Sequence, residues 1–301
     1  VTGEGGPRRI LLLGKFGQLG WELNRTLAPL GEVIALDYPE VDLSKPEQAR
    51  QVVRDAQPQL IVNATAYTAV DRAEVESDVA SAVNALTPAV LAQEALASKA
   101  VLIHYSTDYV FDGKQNHPYV ETDTPHPLGA YGQSKLEGER NIQQVGGNYL
   151  ILRTSWVYSL RRDSFVTKVL GWARQQTDLR VVDDQISNPT WARMLAEATS
   201  LLLARASGDW LDWLHERAGL YHLAGSGFTS RLDWARAILL NDPRPAEQLT
   251  RRILPAATAD FPTPAQRPLF SALNCDRFTN TFDLRLPNWE QALKLAMAEL
   301  P

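Results

Sequence analysis

Cysteine is almost missing. The lone Cys275 in 301 residues leaves no internal disulfide to form, which fits a reducing compartment, and its neighbours suggest no reactive thiol. An excess of one charge is missing too: 30 Lys and Arg against 35 Asp and Glu give a formal charge of −5. That balance offers no electrostatic footprint for gripping a phosphate backbone, so no nucleic acid is expected as a partner. Nowhere does the chain approach the roughly 18 uninterrupted apolar residues of a membrane span, and no membrane partner is expected. Residues 1–7 are Gly-rich and polar, without the apolar segment of a signal peptide, and read as a lead-in to the first strand. The expected address is the cytoplasm.

What is present is an ordinary globular composition, 45% hydrophobic and 22% charged, which rules out disorder and coiled coil. At roughly 150 residues per domain the length predicts two domains or one large α/β unit. Apolar runs at 9–13, 33–36, 60–64, 101–105 and 149–154 alternate with helical patterns such as 20–30 and 78–98. That alternation predicts an α/β fold, a Rossmann-like doubly wound parallel sheet. The regularity falls away after about residue 155, where seven of the eight tryptophans lie, and a second, smaller, mostly helical substrate domain is expected there. The expected division is 1–155 for an NAD(P)-binding domain and 156–301 mainly for substrate, with a return segment at about 178–196 completing the sheet.

The first strand runs directly into Gly14-Lys15-Phe16-Gly17-Gln18-Leu19-Gly20, and a helical pattern follows at once. Glycines allow a tight turn and close approach to a pyrophosphate, and the unpaired N–H groups of the new helix attract its charge. Dinucleotide binding is expected of Gly14, Phe16, Gly17, Gln18, Leu19 and Gly20. Asp37 ends the second strand, where an acidic residue accepts from an adenosine ribose and favours NADH, while Lys15 could offset a 2′-phosphate, so NADPH and NADH both stay open. Asp42 and Leu43 either flank the adenine or form the N-cap region of a helix beginning near Pro46. Ala64, Thr65 and Ala66 end the third strand with small residues over which a cofactor can lie.

Tyr131 and Lys135 stand at i and i+4, hence on one face of a helix. The fourth strand delivers Ser106 and Thr107 to the same sheet edge as the glycine loop. Together they suit carbonyl reduction: Tyr131 gives a proton to the developing alkoxide, Lys135 favours the phenolate left behind and holds the nicotinamide ribose, and Thr107 with Ser106 holds the carbonyl oxygen. The alternative for Thr107 is a strand-end hydroxyl capping a backbone group.

With this loop, strand-end Thr and Y-x-x-x-K, the chain resembles the extended short-chain dehydrogenase/reductases. The segments 14–20, 63–71, 105–113 and 153–158, Asp184-Gln185 with Asn188-Pro189-Thr190, and Arg267-Pro268 with Ser271 narrow the resemblance to the dTDP-4-dehydrorhamnose reductase family. The resemblance implies NAD(P)H-dependent reduction of the C4 ketone of a dTDP-linked keto-deoxysugar, dTDP-4-dehydro-6-deoxy-L-mannose, with Thr107, Tyr131 and Lys135 as the catalytic set. It further implies that Thr68, Asp108, Tyr109 and Trp156 lie beside the sugar, and Gln185 and Arg267 along the nucleotide. Core rings are the alternative for Tyr109 and Trp156, and a surface ion pair for Arg267. Some members of that family are described as dimers bridged by magnesium through carboxylates; Arg193 stands near the corresponding helix, so no metal is expected, although a homodimer stays compatible. A related nucleotide keto-deoxysugar, or a non-catalytic dinucleotide-binding regulatory subunit, are the competing readings. A 4,6-dehydratase would need Glu after Asp108, where this chain has Tyr109.

Overall fold

In a computed structural model, which describes residues 8–206 and 208–300, the apolar runs become parallel strands: β1 (Arg9–Leu13), β2 (Glu32–Leu36), β3 (Leu60–Asn63), β4 (Val101–Thr107) and β5 (Tyr149–Thr154). The lead-in expected at 1–7 lies outside the described residues. The strands pair in the order 2-1-3-4-5, with Gly219–His222 parallel outside β5. β3 and β4 are buried at every position, because a parallel sheet covered on both faces selects near-continuous apolar runs.

Each face is closed by helices. Ile10, Leu12, Val62 and Ile103 meet α1 (Gln18–Leu27), while Leu11, Leu13, Ile61 and Leu102 meet α2 (Pro46–Ala56) and the helix Thr87–Ser98. α1 turns Leu19, Leu23 and Leu27 inward at four-residue spacing. Leu23 and Leu27 are fully buried, each contributing about 1.5–3 kcal/mol of apolar burial.

The sheet is not completed at 178–196, where the return was expected. Asp178–Val182 pairs with Arg252–Ala256 in a separate parallel ribbon, and the strand that completes the sheet is Gly219–His222. In Asp178–Val182, Leu179 and Val181 are buried while Arg180 is exposed, and such alternation suits a ribbon with one wet face rather than a strand covered on both. What returns is a helix: Ala192–Ala204 packs Leu195 and Leu202 into the α1 face, and the Thr26 hydroxyl donates to the Ala196 carbonyl. The rest of the second half has its own core around Val166, Leu170, Trp191, Trp234 and Leu293.

Candidate active site

The glycine loop is built by close contact. Gly14 takes a left-handed φ of 93°, its N–H bonds the Leu36 carbonyl at 2.8 Å, and a Cβ there would lie 2.8 Å from Thr65 Cγ2 at the end of β3. A Cβ on Gly20 would lie 1.8 Å from the Gly14 oxygen, so Gly20 lets α1 approach the loop from beneath. Gly17 precedes α1 without any side-chain cap, which leaves first-turn N–H groups directed at the space in front. Gln18 Oε1 is buried without a partner beside them. This cradle and its orphaned acceptor fit the pyrophosphate and amide chemistry of a dinucleotide.

The loop opens into a cleft of about 1440 Å³ lined by Gly14, Phe16, Gly17, Gln18, Leu19, Asp37, Ala64, Thr65 and Ala66 at one end. Asp37 accepts from the N–H groups of Phe16 at 2.9 Å and Tyr38 at 2.8 Å, tying the loop to β2. Lys15 is engaged by Glu40 at 2.6 Å. Three residues expected at the cofactor do not line the cleft. Gly20 lies under the loop; Asp42 accepts from the Ser44 N–H and hydroxyl and pairs with Lys45 just before α2; Leu43 is buried in the core, its carbonyl taking the Thr87 hydroxyl.

At the middle of the cleft stand Ser106, Thr107, Asp108, Tyr109, Tyr131 and Lys135. The helix Ala130–Val145 carries Tyr131 and Lys135, and Gly132 lets it close on the turn after β4: a Cβ there would lie 2.2 Å from the Tyr109 oxygen. Asn84 donates to Ser134 Oγ at 3.0 Å, and Ser134 donates to the Tyr131 carbonyl at 2.9 Å. Burial raises the Tyr131 phenol, and the Thr107 hydroxyl beside it works in the opposite direction. Burial lowers Lys135 to about 8, with Glu139 opposing. The Lys135 ammonium position is fixed by the Tyr105 carbonyl at 2.6 Å and His104 Nε2 at 3.2 Å. Thr107 Oγ1 accepts from the Tyr109 N–H and donates to Asp108 Oδ1, each at 3.2 Å, so it does cap the turn as well as face the cleft. Ser106 turns its hydroxyl into the protein, donating to Glu139, which is held in a buried ion pair with Arg153 at 2.6 Å.

Asp108 is buried and raised to about 6 by desolvation, against which the Ser271, Thr107 and Ser187 hydroxyls act. Those two serines come from the second half of the chain, and Asp108 therefore joins the halves beneath the cleft. Above it, Trp156 sits on a left-handed backbone with φ 39°, a conformation disfavoured for a bulky side chain. Its ring stacks on Trp234 with centroids 5.5 Å apart, and the Arg231 guanidinium lies 3.6 Å over its face. Thr68, Trp156, Gln185 and Arg267 all line this end. Gln185 donates to Thr258 at 3.1 Å. Arg267 is committed to Asp71 through two contacts of 3.1 and 2.8 Å.

Arg231 is a cleft residue that sequence reasoning missed. Desolvation lowers it to about 10, it is caged by Trp156, Phe165 and Trp234, and no ion pair among the described residues engages it. No local motif announces it, since its neighbours in the cage come from three separate segments. Elsewhere, Arg193 pairs with Glu22 at 3.3 Å and with Glu299, and the described residues contain no cluster of three or more His, Cys, Asp or Glu fit to hold a metal.

Comparison with known proteins gives the family of the chain and its fold. The family model described as the RmlD substrate binding domain matches residues 8–301. The dTDP-4-dehydrorhamnose reductase of Burkholderia thailandensis is 40% identical, covering 97% of this chain and 99% of that one, and the Escherichia coli K12 enzyme of the same name is 41% identical over 97% of each. A crystal structure of dTDP-4-dehydrorhamnose reductase from Bacillus anthracis in complex with NADP superposes with a TM-score of 0.88 at 30% identity, covering 97% of this chain and 99% of that one. With the whole described fold and the segments that line the cleft included in these matches, the chain belongs to the dTDP-4-dehydrorhamnose reductase family.

Proposed function

We propose that the chain reduces the C4 ketone of dTDP-4-dehydro-6-deoxy-L-mannose with NADPH or NADH to give dTDP-L-rhamnose, with Tyr131 as the proton donor. The observation that carries the reading is the convergence of Tyr131, Lys135 and Thr107 at the strand ends, beside a glycine cradle that only a backbone-hugging ligand would fill. Gly14, Phe16, Gly17, Gln18, Leu19, Asp37, Ala64, Thr65 and Ala66 hold the cofactor, which supplies a hydride when bound. Lys15 has Glu40 as its partner, so Asp37 sets the character of the ribose end.

With substrate bound, Thr107 turns its one hydroxyl hydrogen from Asp108 to the ketone oxygen and stabilises the charge that develops on it. Tyr131 transfers its phenolic proton to that oxygen, and positive charge at Lys135 favours the resulting phenolate. Trp156, Tyr109, Thr68 and Asp108 bound the sugar, while Gln185 and Arg267 line the nucleotide end, with Arg231, which is in no ion pair among the described residues, as a cation for its diphosphate. The first half of the chain is the cofactor domain with helix Ala192–Ala204 and strand Gly219–His222 added, and the remainder is the substrate domain. The cytoplasm, where reduced nicotinamides are available, is the address that goes with this chemistry. The near-full-length likeness to proteins named as reductases supports catalysis over a non-catalytic binding module.

The test is Tyr131→Phe. It is expected to keep cofactor affinity while losing at least about 100-fold in kcat, the scale of a positioned acid, measured by NAD(P)H absorbance with the keto sugar generated in situ. A variant with near-normal kcat would remove Tyr131 from the proton-donor role.

A further inference from the structure

The second half of the chain touches α1 at a point that the reduction as described does not use. The short strand Val157–Tyr158 leads into Ser159-Leu160-Arg161-Arg162-Asp163, a basic strap that ends where the helix Phe165–Ala173 begins. The Arg161 guanidinium lies 3.4 Å from the centre of the Trp21 ring on α1. The Trp21 N–H donates to the Gly17 carbonyl at 3.1 Å, so this ring stands one helical turn beyond the glycine cradle. Stacking of Arg161 therefore holds the strap beside the first turn of α1.

Both ends of the strap are pinned. Val157, at its root, packs against the α1-side core. Ser159 is buried, and its hydroxyl accepts the Arg161 N–H at 3.1 Å. Ser164 caps the following helix in a reciprocal pair with Thr167, whose hydroxyl also reaches the Arg162 carbonyl at 3.4 Å. Between these anchors Arg161, Arg162 and Asp163 are exposed. Arg162 and Asp163 line the same cleft as Gly14, Gly17 and Gln18.

The cradle itself offers donors without charge. Its backbone N–H groups are neutral, and the cations beside it are engaged: Lys15 by Glu40 at 2.6 Å, and Arg25, 5.0 Å from the same Trp21 ring, by Glu22 at 3.3 Å. Arg161 and Arg162 are in no ion pair among the described residues. The indole face engages Arg161. Asp163 repels an anion, which leaves Arg162 as the group on the strap that a phosphate would engage. A guanidinium presents paired donors that match two phosphate oxygens. The diphosphate of the nucleotide sugar already has Arg231 at the other end of the cleft, whereas the pyrophosphate of the dinucleotide has no such cation from the loop.

We propose that Arg162 is a cofactor-binding residue: docking of Arg161 on Trp21 brings the strap over the first turn of α1 and sets the Arg162 guanidinium on the dinucleotide pyrophosphate. The proposal rests on the dinucleotide reading of the glycine cradle given above. Backbone donors from α1 and a guanidinium from the second half of the chain then hold one anion from two sides. Arg162→Gln is expected to weaken NADH and ADP by about 10- to 100-fold in titration calorimetry, the scale of charge-assisted hydrogen bonds. Adenosine, which has no phosphate, is expected to bind as before. Trp21→Leu is expected to weaken ADP roughly threefold, the scale of an exposed cation–π contact, and to add nothing in the Arg162→Gln background, because the stack acts through Arg162. Equal losses for ADP and adenosine, single effects that multiply in the double variant, or a raised KM for the nucleotide sugar with ADP affinity intact would each overturn the proposal. If the unmodified protein binds neither NADH nor ADP, the dinucleotide reading itself fails; if it binds both and Arg162→Gln changes neither, only the strap contact is lost.

Discussion

The ring of Tyr109 meets that of Tyr131 edge-on, with centroids 5.7 Å apart and planes at 76°, and the backbone of the same Tyr109 occupies the space beside Gly132. Tyr131 is thus aimed by the turn that follows β4. Gly132→Ala is expected to push that turn away and lower kcat by about tenfold or more, since small misplacements are costly in oriented reactions. Cofactor affinity, measured by fluorescence titration, is expected to stay unchanged because the glycine cradle is on other elements.

Arg231 sits in an aromatic cage and has no ion-pair partner among the described residues. Arg231→Met is expected to raise KM for the nucleotide sugar by about 10- to 100-fold, the scale of charge-assisted hydrogen bonds, with little change in KM for the cofactor. The same change is expected to leave the melting temperature equal or higher, because a desolvated cation without a carboxylate is replaced by apolar volume. A loss of stability together with an unchanged KM would mean that the guanidinium serves the cage and not the diphosphate.

These two expectations show where sequence reasoning reaches and where it stops. The alternation of strands and helices, the glycine loop and the Tyr131–Lys135 spacing are local patterns, and each has its counterpart in the fold. Asp42 was legible only as one of two things, and the Ser44 contacts place it at the start of α2. Ser106 lies on the strand expected, yet strand alternation turns its hydroxyl toward Glu139. Arg231, His104 and the sheet-completing strand Gly219–His222 depend on partners distant in the chain, and no spacing rule carries that information.

Asp108 gives stability a pH dependence of definite sign. The folded protein holds this proton up to about pH 6, whereas an aspartate in the unfolded chain releases it near 3.8. The folded state therefore binds more protons between these values, and stability falls as pH rises through that window before levelling above it. The size expected is about 3 kcal/mol at 1.36 kcal/mol per pH unit. Denaturant unfolding of Asp108→Asn at pH 4, 5 and 7 is expected to lack this slope; an unchanged slope would assign it to another group.

The chain's repeated passage between its two halves has a mechanical consequence. Helix Ala192–Ala204, strand Gly219–His222 and helix Asp276–Phe282 are coded after the substrate-side segments but pack into the cofactor-side core. A protein truncated after residue 155 would expose the edge of β5 and strip the cover from α1, so the cofactor half is not a separable module. For the same reason the jaws of the cleft share several backbone connections in place of one linker. Opening them would have to bend all of those connections together, so the cleft is expected to open less widely than one hinged on a single linker.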